Sequence, residues 1–233
     1  MLKCLVFDKD GSLYSASKYI TPFAEHLSRL FDRETFMDQY HDFRSKGVIG
    51  ENYNIETLIP DTKGKELISA FWVPALIALH NGFDGSLQEE FQLFSQYILN
   101  DSDFPHDSHA KKLLSKDCYK KVLVSNENKD ELLKKLGLYD LFDLKYLGAG
   151  KDQNLELICD DIEDNFNAVP SEIIWVEDDL VVLERLKKRD YQTVLRKTKG
   201  FNYVSEDKLH KFADLVLDDS LLLLYELLNQ NVK

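Results

Sequence analysis

Leu2-Lys3-Cys4-Leu5-Val6-Phe7-Asp8-Lys9-Asp10-Gly11-Ser12-Leu13-Tyr14 is the stretch whose reading decides the fold. Leu2 to Phe7 is a short, mostly apolar run with Val and Phe, the pattern of a strand buried on both faces. It stops at two carboxylates, Asp8 and Asp10, followed by Gly11 and the hydroxyl of Ser12. Asp and Gly are common turn formers, so a plain turn accounts for this stretch when it is taken alone. A parallel sheet gives it a second meaning. Ligands of such sheets sit beyond the carboxyl ends of the strands, where Asp8 and Asp10 would stand.

The rest of the chain supports that second meaning. From Phe104 onward, strand-like and helix-like stretches alternate, which predicts a parallel sheet. Strands are expected at Val122–Val124, Leu144–Leu147, Ile173–Val176, Gln192–Leu195 and Leu215–Leu217. Helices are expected at His106–Ser115, Asn128–Leu136 (ended by Gly137), Asp152–Phe166, Leu180–Arg189 and Leu221–Leu228. Between the first strand and this alternation, Ser17 to Asp103 shows helical spacing and little strand signal. Ile20, Phe23, Ala24, Leu27, Leu30 and Phe31 mark one face, with Thr21-Pro22 as a helix start. Phe36, Tyr40 and Phe43 mark a second helix. Leu67 to Leu79 marks a third, with Pro74 as its break or start. A fourth runs from Leu87 to Leu99, capped by Ser86. The fold class that follows is α/β, a Rossmann-like parallel sheet core of residues 1–16 and 104–233 with an α-helical domain inserted at 17–103.

Composition narrows the function classes. The chain has 233 residues, 44% of them hydrophobic and 12% aromatic, enough to build a core. No apolar run approaches the ~20 residues of a membrane helix, and the first residues lack a signal-peptide pattern. Cys4, Cys118 and Cys159 are odd in number and widely spaced, so they predict neither a metal site nor a disulfide framework. They read as small buried hydrophobes in a reducing, cytoplasmic protein. A formal net charge of -12 argues against nucleic acid, which is held by clustered Lys and Arg.

Three strand ends and one loop carry residues capable of chemistry. Asp8 and Asp10 follow the first strand, Ser125 and Asn126 the second, and Glu177, Asp178 and Asp179 follow Ile173–Val176. Lys151 stands where the loop Gly148-Ala149-Gly150 enters a helix. Carboxylates crowded at one sheet edge repel by roughly 4 kcal/mol per pair at ~4 Å and an effective dielectric near 20. A dication among them relieves this, and all-oxygen ligands suit Mg²⁺. A lysine and a hydroxyl at the same edge supply charge and a donor for phosphate oxygens. These residues predict phosphoryl transfer with Asp8 as nucleophile and Asp10 as general acid/base. Ser125, Asn126 and Lys151 would hold the phosphoryl oxygens.

In order along the chain, these stretches resemble the four motifs of the haloacid dehalogenase-like superfamily. Asp8-Lys9-Asp10-Gly11-Ser12-Leu13 resembles the first, Val122-Leu123-Val124-Ser125-Asn126 the second, Lys151 the third and Ile174-Trp175-Val176-Glu177-Asp178-Asp179 the fourth. The helical block falls where that family carries a C1 cap, a lid over the active site. The resemblance implies Mg²⁺ held by the Asp8 carboxylate, the Asp10 backbone carbonyl and one of Asp178 and Asp179. It also implies a phosphate ester as substrate, because members that dehalogenate or cleave phosphonates lack an acid at the Asp10 position. Glu177 stands where glycine is common, and Lys9 is unusual between the two aspartates and expected to point away from them. Lys145 is the alternative to Lys151. The block at 17–103 carries 7 Lys/Arg and 14 Asp/Glu, a poor attractant for a highly anionic substrate. The expectation is a Mg²⁺-dependent phosphatase acting on a small phosphorylated metabolite, without nucleic acid or membrane partners. The alternatives are a phosphotransferase or mutase on the same fold and a non-catalytic regulatory domain.

Overall fold

The computed structural model of the chain describes residues 2–14, 17–46, 73–87, 89–90, 93–94, 107–197, 209–218 and 220–230. The chain divides into two compact units. One comprises Met1–Ser15, Pro105–Lys197 and Asp207–Lys233, and the other Ala16–Phe104 with Thr198–Glu206.

The first unit is built on six strands: β1 (Cys4–Asp8), β2 (Lys120–Ser125), β3 (Leu144–Leu147), β4 (Ile173–Glu177), β5 (Gln192–Arg196) and β6 (Leu215–Leu217). Every strand pairing is parallel, and the order across the sheet is β3-β2-β1-β4-β5-β6. The helices α4 (Ser108–Leu114), α5 (Glu131–Lys135), α6 (Lys151–Phe166), α7 (Leu180–Lys187) and α8 (Leu222–Gln230) belong to this unit. All five residues of β1 and all five of β4 are buried, as the unbroken apolar runs require. On one face Cys4, Val6, Val122, Val124, Ile173 and Trp175 pack with Leu155, Ile158, Cys159 and Ile162 of α6 and Val182 and Leu186 of α7.

The topology places a crevice. The chain winds outward from β1 through β2 to β3, then returns to lay β4 on the other side of β1. Loops leaving β1 and β4 therefore diverge, and the gap between them is where ligands bind in sheets of this type. A buried polar tie holds the loop after β1. Arg196, at the end of β5 and 1% exposed, donates Nη1 to the Ser12 carbonyl at 2.8 Å and lies 3.2 Å from the Asp107 carboxylate. Asp107 also accepts from the His109 and Leu221 backbone N–H groups, so one carboxylate caps α4 and fixes the chain entering α8.

In the second unit, α1 (Ser17–Ser28), α2 (Arg33–Lys46) and α3 (Val73–His80) pack on one another. Ile20, Phe23, Ala24 and Leu27 are buried from α1, Phe36 and Tyr40 from α2, and Val73 to Ala78 from α3. Asp32 Oδ1 accepts from Thr35 N at the start of α2, and Ser86 Oγ accepts from Glu89 N.

Several boundaries differ from those the sequence predicts. The first helix begins at Ser17 and runs through Pro22 rather than starting there. The first four helical N–H groups have no intrahelical partner, so a proline at the sixth position forgoes only one or two bonds. Thr21 Oγ1 meets Tyr40 Oη at 2.9 Å instead of capping. Helix α5 is confined to Glu131–Lys135, shorter at both ends than the expected Asn128–Leu136. Pro74 lies within α3. The expected residues 67–72 of that helix and most of the fourth helix lie outside the described residues. Cys118 is exposed, unlike buried Cys4 and Cys159, because it stands in the turn before β2. Among the described residues, no helix is long and apolar enough to cross a membrane.

Candidate active site

Strand register sets the height of each group at the sheet edge. Phe7 pairs with Val176 and Asp8 with Val124. Asp8 and Glu177 therefore end neighbouring strands at the same level, and Ser125 lies one residue beyond on β2. Asp8, Ser125 and Glu177 are all buried. One carboxylate oxygen from each of Asp8, Glu177 and Asp178 lies within 4.8 Å of the other two.

Lys151 comes to this edge from β3, two strands away from β1. Gly148 and Gly150 adopt left-handed backbone at φ +62 and +58 and fold the loop back. Ala149 N donates to the Ser125 carbonyl at 2.9 Å and Gly148 N to the Glu127 carbonyl at 3.0 Å. Asn126 Oδ1 accepts from Lys151 N at 2.8 Å, satisfying an otherwise open N–H of the first turn of α6. The side chain then crosses to β1 and β4. Lys151 Nζ donates to Asp8 Oδ1 and to Glu177 Oε2, each at 2.7 Å. Lys145 instead donates to the Phe142 carbonyl at 2.9 Å and takes no part.

The charges do not balance. Asp8, Glu177 and Asp178 against Lys151 leave a formal charge of -2 in a largely buried cluster. Burial, then the Glu177 carboxylate, push the Asp8 carboxyl well above its ordinary range. Burial, Glu177 and Asp8 do the same to Asp178. Burial alone would push the Lys151 ammonium down, but Asp8 and Glu177 outweigh it and hold it above its ordinary value. One divalent cation would cancel the excess, and three carboxylates are the donor set of a hard ion. The residues present thus fit a metal of the Mg²⁺ class, with Asp8, Asp178 and Glu177 available to hold it.

The approach of Asp178 to the loop after β1 depends on Gly11. This residue has φ +80, and a Cβ built there would stand 2.3 Å from Asp178 Oδ2. Gly11→Ala combines about 1 kcal/mol of left-handed strain with displacement of a candidate ligand. The expected result is a roughly 10–100-fold loss of Mg²⁺ affinity, by analogy with losses of metal-supporting groups, read by titrating the metal-dependent rise in melting temperature.

The two aspartates of the fourth stretch separate. Asp178 joins the carboxylate cluster, whereas Asp179 Oδ1 accepts from Val181 N at 2.8 Å and caps α7. Asp10 stands apart from the Lys151 pair. Tyr14 Oη donates to its Oδ1, and Lys9 Nζ lies 3.4 Å from its Oδ2. Lys9 does not point away from its neighbours, as its sequence position suggests. It is 3% exposed and donates to Glu127, on the segment that follows the neighbouring strand β2. Ser125 Oγ accepts from Glu127 N at 3.1 Å, so its own proton remains for another acceptor. His109 Nδ1 lies against Asp107 at a helix start, and His106 is outside the described residues.

Glu177 and Glu127 are the two carboxylates whose partners the sequence does not disclose. Glu177 is 1% exposed, and besides Lys151 it accepts from the Asp178 and Asp179 backbone N–H groups at 3.2 and 3.3 Å. A charged residue at the end of a fully apolar strand is the signal that could have marked it.

The six-stranded parallel sheet and its strand order match the fold of solved haloacid dehalogenase-like proteins. A crystal structure of a haloacid dehalogenase-like protein from Agrobacterium tumefaciens matches with a TM-score of 0.65 and 17% identity over 100% of both chains. β-Phosphoglucomutase from Clostridium difficile matches at 0.58 and 18% identity, over 99% of this chain and 96% of its own. A protein described as a predicted phosphoglycolate phosphatase from Haemophilus somnus matches at 0.56 and 15% identity, over 95% and 96%. No protein-family model matches the chain, and no curated protein matches it.

Proposed function

We propose that the protein is a Mg²⁺-dependent phosphatase that hydrolyses a small phosphomonoester through an aspartyl-phosphate on Asp8. The convergence of Asp8, Lys151, Glu177 and Asp178 on one edge carries this reading. Asp8 Oδ1 is held by Lys151, which leaves Oδ2 to attack phosphorus. Bound Mg²⁺ would neutralise charge between Asp8 and the incoming phosphoryl group. Asp8 and Asp178 would hold the ion, with Glu177 reaching it or keeping Lys151 in place. The Ser125 hydroxyl and the Lys151 ammonium would donate to phosphoryl oxygens as charge shifts in the transition state. Asn126 acts indirectly, by fixing the Lys151 backbone. Asp10 would protonate the leaving oxygen and then take a proton from the water that releases phosphate. An acid at this position supports a phosphate ester over a haloacid. The helical unit is assigned the role of cap, and its acidic composition favours a compact monophosphate.

The likeness to β-phosphoglucomutase keeps one rival, phosphoryl transfer within or between substrates by the same residues. The test is a panel of sugar, nucleotide and hydroxy-acid phosphates, with p-nitrophenyl phosphate, assayed with Mg²⁺ and with EDTA. Free phosphate released only with Mg²⁺ supports hydrolysis. Phosphate moved to another hydroxyl without release supports the rival. Activity unchanged in EDTA contradicts the metal-dependent scheme.

A further inference from the structure

Lys9 is the least expected residue of the first motif, and its surroundings give it a use. It extends from the turn after β1, yet its ammonium is buried between the Glu127 carboxylate and Asp10 Oδ2, with the Lys129 carbonyl at 3.4 Å. Tyr14 is 1% exposed and donates to the other oxygen of Asp10. Asp10 itself keeps about a third of its side chain exposed. Both of its oxygens are therefore gripped from the protein side while the carboxyl faces open space.

A buried lysine must repay its desolvation with paired charge and hydrogen bonds. Glu127, the Lys129 carbonyl and Asp10 share that demand, and the contact to Asp10 holds the acid as well as the lysine. An unsupported aspartate samples several rotamers, and proton transfer falls steeply when donor and acceptor are misplaced. Glu127 adds a mechanical link. Through Lys9 it joins the segment after β2, which follows Ser125, to the turn after β1, which follows Asp8 and carries Asp10.

We propose that Lys9 and Tyr14 are positioning residues that clamp Asp10 for proton transfer, with Glu127 anchoring Lys9. The inference rests on the phosphatase reading above. In the first half-reaction the Asp8 oxygen–phosphorus bond forms, the ester oxygen–phosphorus bond breaks, and Asp10 gives its proton to the departing oxygen. In the second, Asp10 takes a proton from water, the water oxygen bonds phosphorus, and the Asp8 oxygen–phosphorus bond breaks to release phosphate.

The two half-reactions can be separated by the leaving group. p-Nitrophenolate departs as a stable anion and needs little help from an acid. With p-nitrophenyl phosphate, a loosened Asp10 should slow the second half-reaction and leave the first almost intact. Rapid-mixing measurements on Lys9→Met and Tyr14→Phe, beside the wild type and with Mg²⁺, test this. The expected result is a burst approaching one nitrophenolate per enzyme, followed by a steady rate lowered roughly 10–100-fold in Lys9→Met and about 10-fold in Tyr14→Phe. With an alkyl phosphate substrate the same variants should lose rate without a burst. The burst also counts folded, competent enzyme, so it separates a positioning defect from misfolding. Variants with the wild-type ratio of burst to steady rate, or burst and steady rate lost together, would overturn the clamp while leaving the phosphatase reading intact. A wild type without Mg²⁺-dependent turnover on any substrate would overturn that reading, and the clamp with it.

Discussion

Asp8→Asn is expected to lower turnover by about four to six orders of magnitude while making the metal-free protein more stable. On the proposed scheme the loss follows from removing the nucleophile, Asp8. The gain follows from electrostatics. Burial and Glu177 hold the Asp8 carboxyl well above its ordinary range, so its ionised form is disfavoured in the folded state. For such a carboxyl the folded state binds protons more tightly than the unfolded one. Stability therefore declines as pH rises from the unfolded value through the folded one, and the decline is complete at higher pH. The amide cannot ionise and escapes it. Melting in EDTA at neutral pH should shift upward by about 2–4 °C for each kcal/mol of repulsion removed. In excess Mg²⁺ the order should shrink or reverse, because on the proposed scheme the wild type would hold the ion with one more carboxylate.

The second large effect is expected at Lys151. Its ammonium is the positive charge that both Asp8 and Glu177 contact, each at 2.7 Å. Lys151→Met keeps the length of the stem and deletes the charge, which leaves two buried carboxylates facing each other. Breaking buried pairs in this way costs about 3–5 kcal/mol. For a chain of this size the melting temperature should fall by on the order of 10 °C in EDTA. Turnover should fall as well, since a donor to the phosphoryl group is lost. Adding Asp8→Asn to Lys151→Met should recover much of the stability and none of the activity. A double-mutant cycle measures that coupling. If the two stability changes simply add, the Lys151–Asp8 pair has been misjudged.

The sheet is legible in the sequence because its strands are unbroken apolar runs bounded by turn residues. Leu2–Phe7, Val122–Val124 and Ile173–Val176 need no partner to be recognised, and their alternation with helices dictates parallel pairing. The positions of acids and hydroxyls at the strand ends are legible for the same reason. What each of them touches is not. Lys9 reads as a side chain that points away from its neighbours, whereas it is buried against Asp10 and against Glu127, 118 residues away. Glu177 reads as an oddity until Lys151 arrives from beyond β3. The division of labour between Asp178 and Asp179 depends on where α7 begins, since a helix start claims Asp179 as its cap. Thr21-Pro22 misleads because proline is tolerated in the early turns of a helix as well as at its first position. Long-range side-chain pairing and helix phase are set by packing, and neither leaves a local trace in composition or spacing.

The most direct measurement is mass spectrometry of the protein quenched in acid during turnover of p-nitrophenyl phosphate with Mg²⁺. One phosphoryl group on the peptide that contains Asp8, lost when the quench is omitted, is the predicted result. A label on any other residue, or continued turnover by Asp8→Asn at the wild-type rate, would contradict the account.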